Sequence, residues 1–268
     1  MDRVSRLISP AWIAVVVAIG CGGSTPQDAA AKTPRTDREP IQLAQDAIEP
    51  PPAVGGGAAV IRGMVTFEGG APGMGTVTMD ADPVCRQQHT APVTAEEVVV
   101  NANGTLKNVF VYVKEGVKGS FAAPATPAVL DQSGCRYLPH VLGLQANQPL
   151  EIVNSDSTLH NVNAKPVSNQ PFNVAQPVKG MKTKKTFTKP EIMVRFKCNV
   201  HPWMSAYVGV VAHPFFSVSG DDGAFVISGL PAGTYVLEAW QERYGTQTQT
   251  VSVSDGETAS VEFTFQEQ

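Results

Sequence analysis

Residues 195–204 read RFKCNVHPWM, and this stretch governs our interpretation of the remainder of the 268-residue chain. Apolar side chains at positions 194, 196 and 198 alternate with basic ones at 195 and 197. A period of two predicts a strand whose inward face ends at Cys198. The next two residues, Asn-Val, predict a tight turn that brings His201 back beside the cysteine. Pro202 then stiffens the loop because its ring fixes φ.

Three side chains of this stretch are metal-binding types, since Cys198, His201 and Met204 follow one another at a spacing of three residues. A thiolate, an imidazole and a thioether are three of the four ligands of a type 1 copper site, whose fourth ligand is a second histidine. His160, in the upstream histidine segment NSDSTLHNV, supplies that imidazole. We therefore predict one copper ion held by these four residues. Zinc is a weaker alternative because a thioether is a poor zinc ligand, and Met204 as core filler is the alternative for that residue.

The same residues resemble a known family. The spacing Cys-x2-His-x2-Met, with Pro202 and Trp203 inside it, is similar to the short ligand loop of amicyanins, and the upstream histidine segment resembles the ligand strand of plastocyanin-like proteins. Both belong to the cupredoxins, so the resemblance implies a Greek-key β-sandwich that carries single electrons. It also implies that His201 is a partly exposed ligand through which electrons pass, ringed by Pro202 and Trp203. Asn161 would tune the Cys198 sulfur through a hydrogen bond.

The first 20 residues read as a signal peptide. Two arginines precede an apolar run that is too short to span a bilayer, and the run ends in AIGC at residues 18–21. This ending resembles a bacterial lipobox, with Ala18 where leucine is usual. We predict that Cys21 is lipidated and holds the protein at the membrane in the periplasm or cell envelope; cleavage of an ordinary signal peptide is the alternative. Residues 21–57, rich in Pro, Ala and Gly, predict a disordered tether.

The composition of the rest predicts an all-β chain. Val, Thr, Gly and Pro are abundant and DG or NG turns recur. We divide it into a β-strand region (58–116), the cupredoxin-like copper domain (117–212) and a second β unit (213–268).

The second β unit carries its own resemblance. Its DGAF and GLPAGTY motifs resemble the carboxypeptidase regulatory-like (transthyretin-like) domain, which implies a β-sandwich without protease chemistry. The RGMV and GGAP motifs near residue 62 are similar to the opening strand of that family. The two flanking regions are therefore expected to form one split sandwich with the copper domain inserted, and two consecutive domains is the alternative.

Cys85 and Cys135 remain after the lipid and copper assignments. An exported, oxidising setting favours a disulfide between them. The alternative is a zinc site formed with His89 and His140, which follow the two cysteines at short spacing. His213, before a proline and two phenylalanines, is interpreted as a packed histidine.

A basic segment lies between the predicted copper ligands. Residues 179–197 contain seven lysines and arginines against one acid, although the whole chain has a net charge of −4. Lys182, Lys184 and Lys185 are candidates for docking an acidic redox partner. An edge strand protected by lysines is an equally supported interpretation.

We therefore expect a membrane-anchored, monomeric electron carrier whose partner is a cytochrome or a dehydrogenase-like protein. The net charge gives no indication of nucleic-acid binding. Copper delivery without redox function and a structural envelope module are the alternatives. We expect no enzyme activity, because the sequence has no His-x-His pair for a trinuclear copper cluster and a single cysteine in the ligand loop.

Overall fold

The computed structural model describes residues 58–267, so the predictions for the signal peptide, Cys21 and the tether lie outside the described residues. No helix in this described part has the length and apolar character needed to cross a bilayer. The all-β prediction is confirmed, with one short helix among the strands. The elements in chain order are β1 Ala59–Glu68, α1 Pro83–Gln87, β2 Val99–Val100, β3 Leu106–Lys107, β4 Phe110–Glu115, β5 Ala128–Ser133, β6 Arg136–Leu138, β7 Val141–Gln145, β8 Pro149–Asn154, β9 His160–Ala164, β10 Phe172–Gln176, β11 Lys182–Thr186, β12 Glu191–Lys197, β13 Ser205–Val211, β14 Phe216–Val218, β15 Ala224–Leu230, β16 Gly233–Gln241, β17 Gly245–Val253 and β18 Thr258–Gln266.

Strands β5 to β13 form a sandwich that carries the predicted copper ligands. One sheet has the order β10-β9-β12-β13-β7 and the other has the order β11-β8-β5-β6. Their inward side chains share one apolar core, which includes Leu130, Ile152, Phe196 and Val208. Burial of such side chains on alternate strand positions is what holds two sheets face to face.

A second pair of sheets is built from strands that precede β5 and strands that follow β13 in the chain. Their orders are β15-β1-β18 and β14-β4-β16-β17, and β1 pairs antiparallel with β15 but parallel with β18. The shared core contains Ile61, Val111, Phe225, Leu237 and Phe263. Strands from 58–116 and 213–268 thus lie in common sheets, as a split sandwich requires, while the domain boundaries themselves stay a prediction.

Phe110 of β4 packs between the two sandwiches. Its buried ring lies against Gly143 of β7 and Gly209 of β13, which are register partners. A Cβ on Gly143 or Gly209 would lie 2.7 or 2.6 Å from that ring, closer than packed side chains allow. Both positions therefore need glycine if Phe110 is to fill the junction.

The segment that carries α1 departs from the expectation of strands over 58–116. Met79 and Cys85 are buried in the core of the sandwich formed by β5 to β13, not in that of the split one. Asp82 caps the helix by accepting a hydrogen bond from the Val84 N–H at 2.8 Å, and Pro83 occupies the first helical turn. The helix lies against the ligand loop, with Cys85 Sγ 3.6 Å from His201 Nε2.

Candidate metal centre

The predicted ligand loop is a hairpin connection between β12 and β13, closed by the pairing of Lys197 with Ser205. Burial alternates before the cysteine as the sequence predicts, with positions 194, 196 and 198 buried and 195 and 197 exposed. The loop is tightened by hydrogen bonds from the Cys198 N–H to the Met204 carbonyl, at 3.3 Å, and from the Met204 N–H to the His201 carbonyl, at 2.9 Å. This turn places His201 beside Cys198.

His160 joins them from the neighbouring strand. It is the first residue of β9, which pairs with the end of β12. The donor atoms of His160, Cys198 and His201 lie within 4.8 Å of one another. The two Nδ1 atoms are 2.9 Å apart, and Cys198 Sγ is 3.9 Å from His201 Nδ1. Met204, 1% exposed, is buried in the same core. Two imidazoles, a thiolate and a thioether are a donor set that suits copper.

Both histidines are held from behind by carboxylates. His160 Nε2 lies 2.8 Å from Asp156 Oδ2, and His201 Nε2 lies 3.0 Å from Asp82 Oδ2. Burial alone would raise the pKa of each carboxyl group, but hydrogen bonds outweigh it and lower both pKa values. An ionised carboxylate only accepts, so each Nε2 carries a hydrogen and each ring directs its Nδ1 at the other ring. Two such nitrogens at 2.9 Å need a cation between them, a proton or a metal ion.

The environment of Cys198 favours the thiolate form of its sulfur. Burial opposes its ionisation, but the adjacent His160 and His201 rings and hydrogen bonds from two backbone N–H groups outweigh it and lower the thiol pKa to about 6. Those N–H groups belong to Asn161 and His201, each with nitrogen 3.3 Å from Sγ. Burial also opposes protonation of His160, yet Asp156 and the thiolate raise its pKa to about 9. The bond expected between Asn161 and the sulfur is thus present, and it comes from the backbone.

The expectation that His201 is partly exposed was wrong, because its side chain is only 2% exposed. The segment carrying α1 covers its outer edge, with Asp82 Oδ2 at 3.0 Å and Cys85 Sγ at 3.6 Å from Nε2. Pro202 is exposed, and the half-buried Trp203 ring lies with its centroid 5.0 Å from that of His201. The solvent-facing part of the loop is therefore Pro202 and Trp203, which follow His201, and not His201 itself.

Cys85 and Cys135 form a disulfide whose Cα atoms are 5.5 Å apart. The histidines of the zinc alternative have other partners. His89 bonds a backbone carbonyl oxygen at 2.8 Å, and His140 Nε2 lies 2.7 Å from Glu242 Oε2. These four residues are not brought together as metal ligands.

Three residues of the centre escaped the sequence interpretation. Asp156 lies four positions before His160 in the upstream histidine segment, so a reading of the sequence could have identified it. Asp82 is 119 residues from His201, so nothing local connects them. The buried hydroxyl of Tyr137 donates to the carbonyl oxygens of residues 161 and 197, at 2.7 and 3.2 Å, and thereby ties β9 to β12 beside the ligands.

The lysines predicted to dock a partner lie on β11, which is an edge strand of its sheet. Lys182 and Lys184 are exposed, and Lys182 pairs with Glu151 at 2.8 Å. Lys185 lies over the Phe172 ring, 4.7 Å from its centroid. Both earlier interpretations of these lysines, docking and edge protection, suit this placement.

Comparisons with known proteins give two kinds of similarity. A family model of the carboxypeptidase regulatory-like domain matches residues 205–266. No match was found among curated proteins.

Part of the chain is also similar to solved copper-protein structures. The copper-containing nitrite reductase NirK of Thermus scotoductus SA-01 aligns at 25% identity and a TM-score of 0.30, over 35% of this chain and 24% of that one. The chain therefore spans about a quarter of that enzyme's length. A novel purple cupredoxin of Nitrosopumilus maritimus aligns at 21% identity and a TM-score of 0.27, over 31% of this chain and 98% of that one. A methionine-to-alanine mutant of amicyanin, in its Cu(I) state, aligns at 20% identity and a TM-score of 0.28, over 37% of this chain and 97% of that one.

Proposed function

We propose that this protein is an electron carrier that holds one copper ion with His160, Cys198, His201 and Met204. The observation that carries the proposal is the convergence of buried soft donors, in which two Nδ1 atoms face each other at 2.9 Å beside a sulfur with a lowered pKa. Bound there, copper would supply one-electron redox chemistry.

The chain's contribution is to keep the donors still. His160 is held by Asp156 and His201 by Asp82, each through a hydrogen bond at Nε2. The sulfur of Cys198 accepts two backbone N–H groups. Donors fixed in this way move little when the charge at the centre changes, which keeps reorganisation small. That property favours electron transfer.

Trp203 is the best-placed route for electrons to the surface. The outer edge of His201 is covered by α1, so electrons cannot leave through an exposed imidazole edge. The half-buried ring of Trp203 lies directly beside the His201 ring. Trp203 also lines a surface cleft together with Arg136 and Glu242. Copper delivery fits less well, because the three donors of highest affinity are at most 3% exposed and metal release would require them to open.

The remaining elements of the proposal concern partner and place. We propose that a cytochrome or dehydrogenase-like redox protein docks at Lys182, Lys184 and Lys185, or at the apolar rim formed by Pro202 and Trp203. We propose further that the protein is a monomer in the periplasm or cell envelope, attached through lipid on Cys21. A Cys21→Ser variant should then leave the membrane fraction, and a variant that fractionates like the wild type would contradict the anchor.

Visible and EPR spectra of the protein loaded with Cu(II) test the central proposal. The wild type should show an intense thiolate-to-copper band, and Cys198→Ala should abolish it. Met204→Leu should keep the band and raise the reduction potential, because the axial ligand tunes it. Met64→Leu, at a methionine 39% exposed on β1, is the matched control and should leave the potential unchanged. A wild type without the band, or a band that survives Cys198→Ala, would refute the proposal.

A further inference from the structure

Asp82, at the start of α1, places a carboxylate against the candidate centre, although α1 lies outside strands β5 to β13. Asp82 Oδ2 lies 3.0 Å from His201 Nε2, the nitrogen that faces away from the other donors. The Asp82 side chain is only 18% exposed and His201 is 2% exposed, so water has little access to the contact. Its charge therefore acts on the imidazole with little screening.

Both oxygens of Asp82 are engaged, which fixes the carboxylate in position. Oδ1 accepts the Val84 N–H at 2.8 Å and the Cys85 N–H at 3.4 Å, so it caps α1. Oδ2 accepts the Thr158 hydroxyl at 2.7 Å in addition to His201. The cap and the histidine contact use different oxygens, so the two roles can be separated by mutation.

The disulfide links this carboxylate to the one behind the other histidine. Cys85 lies in α1 beside Asp82, and its partner Cys135 donates its N–H to Asp156 Oδ2 at 2.8 Å. Asp156 in turn accepts from His160. One covalent cross-link therefore connects the segments that orient both imidazoles.

We propose that Asp82 is a positioning residue of the metal centre: it keeps the His201 proton on Nε2, leaves Nδ1 free for the metal, and adds a negative charge that favours the oxidised site. This inference rests on the proposed function. A carboxylate that orients a ligating histidine raises its basicity, and losing it typically lowers metal affinity about 10–100-fold. A role as helix cap alone would change stability and none of these properties.

The test compares Asp82→Asn with Asp80→Asn. Asparagine still caps a helix, so the first variant keeps the fold while it removes the charge. Asp80 is the matched control, because its side chain is 75% exposed, pairs with Arg86 and loses the same charge two residues away. We expect Asp82→Asn to weaken copper binding about 10–100-fold and to shift the midpoint potential to more positive values, with no change in Asp80→Asn.

Long-range ¹H–¹⁵N NMR of the metal-free protein supplies a readout that does not depend on copper. The wild type and Asp80→Asn should show the His201 proton on Nε2, and Asp82→Ala should show it distributed over both ring nitrogens. Suppose that all these proteins show the thiolate band, that Asp82→Asn matches Asp80→Asn in potential and copper affinity, and that Asp82→Ala keeps the His201 tautomer. This inference would then be refuted, and the proposed function would stand. A wild type without that band would refute the proposed function and the inference with it.

Discussion

The Cys85–Cys135 disulfide should contribute a large share of the stability of this protein. It closes a loop across a sequence separation of 50 residues and joins α1 to the turn between β5 and β6. In the chain-entropy relation, a loop of that length removes about 14 cal/mol/K from the unfolded state. At 25 °C this corresponds to about 4 kcal/mol.

The perturbation is the double variant Cys85→Ala/Cys135→Ala, which removes the cross-link and keeps both positions apolar. Urea unfolding of the metal-free protein, followed by circular dichroism, measures the loss. With a slope of about 2 kcal/mol per molar urea, the midpoint should fall by roughly 2 M.

Cys198→Ala is the matched control, because it removes one buried sulfur and no cross-link. It should cost the packing of that atom and the two N–H hydrogen bonds that the sulfur accepts, about 2 kcal/mol. If the double variant loses no more free energy of unfolding than this control, the loop-entropy reasoning is refuted. The disulfide would then act only as a local packing contact.

Two further predictions concern protons and partners. The pKa of His160 is raised to about 9, so copper binding at pH 7 must displace a proton from its ring. The copper affinity should therefore rise about tenfold per pH unit from pH 7 to 9 and level off above pH 9. Calorimetry in buffers of different ionisation enthalpy measures the released proton, and an affinity that does not change with pH would contradict the prediction. Replacing Lys182, Lys184 and Lys185 by Glu should lower the rate of electron transfer with the physiological partner and weaken the salt dependence of that rate, while the copper spectrum stays unchanged. If the wild-type rate is already independent of salt, the partner docks at the rim near Trp203 instead.

The convergence of His160, Cys198 and His201 was predictable because two of them are local. Cys198 and His201 lie within four residues, and strand alternation already fixes which way the cysteine points. His160 needed only the inference that a second strand runs beside the first. Strand alternation and short loops are set by nearby residues, so a sequence pattern can reveal them.

The enclosure of the centre was not predictable in the same way. The sequence interpretation placed residues 58–116 with strands and left His201 half open, whereas Asp82 reaches it across 119 residues. Asp82 followed by Pro83 is a helix-start signal, and it would have indicated α1. No local pattern states against which sandwich a five-residue helix will pack.

The covered edge of His201 bears on the choice between the two roles proposed for the candidate centre, electron transfer and metal delivery. Releasing or accepting a metal ion requires a donor to swing away, and His201 cannot do so without leaving Asp82 and displacing α1, which the disulfide holds in place. Passing an electron requires no such opening, since only overlap with a neighbouring group is needed. Trp203 lies against the His201 ring and reaches the surface. A centre whose donors are buried and which is bordered by a half-buried aromatic ring is therefore better suited to passing electrons than to exchanging metal ions.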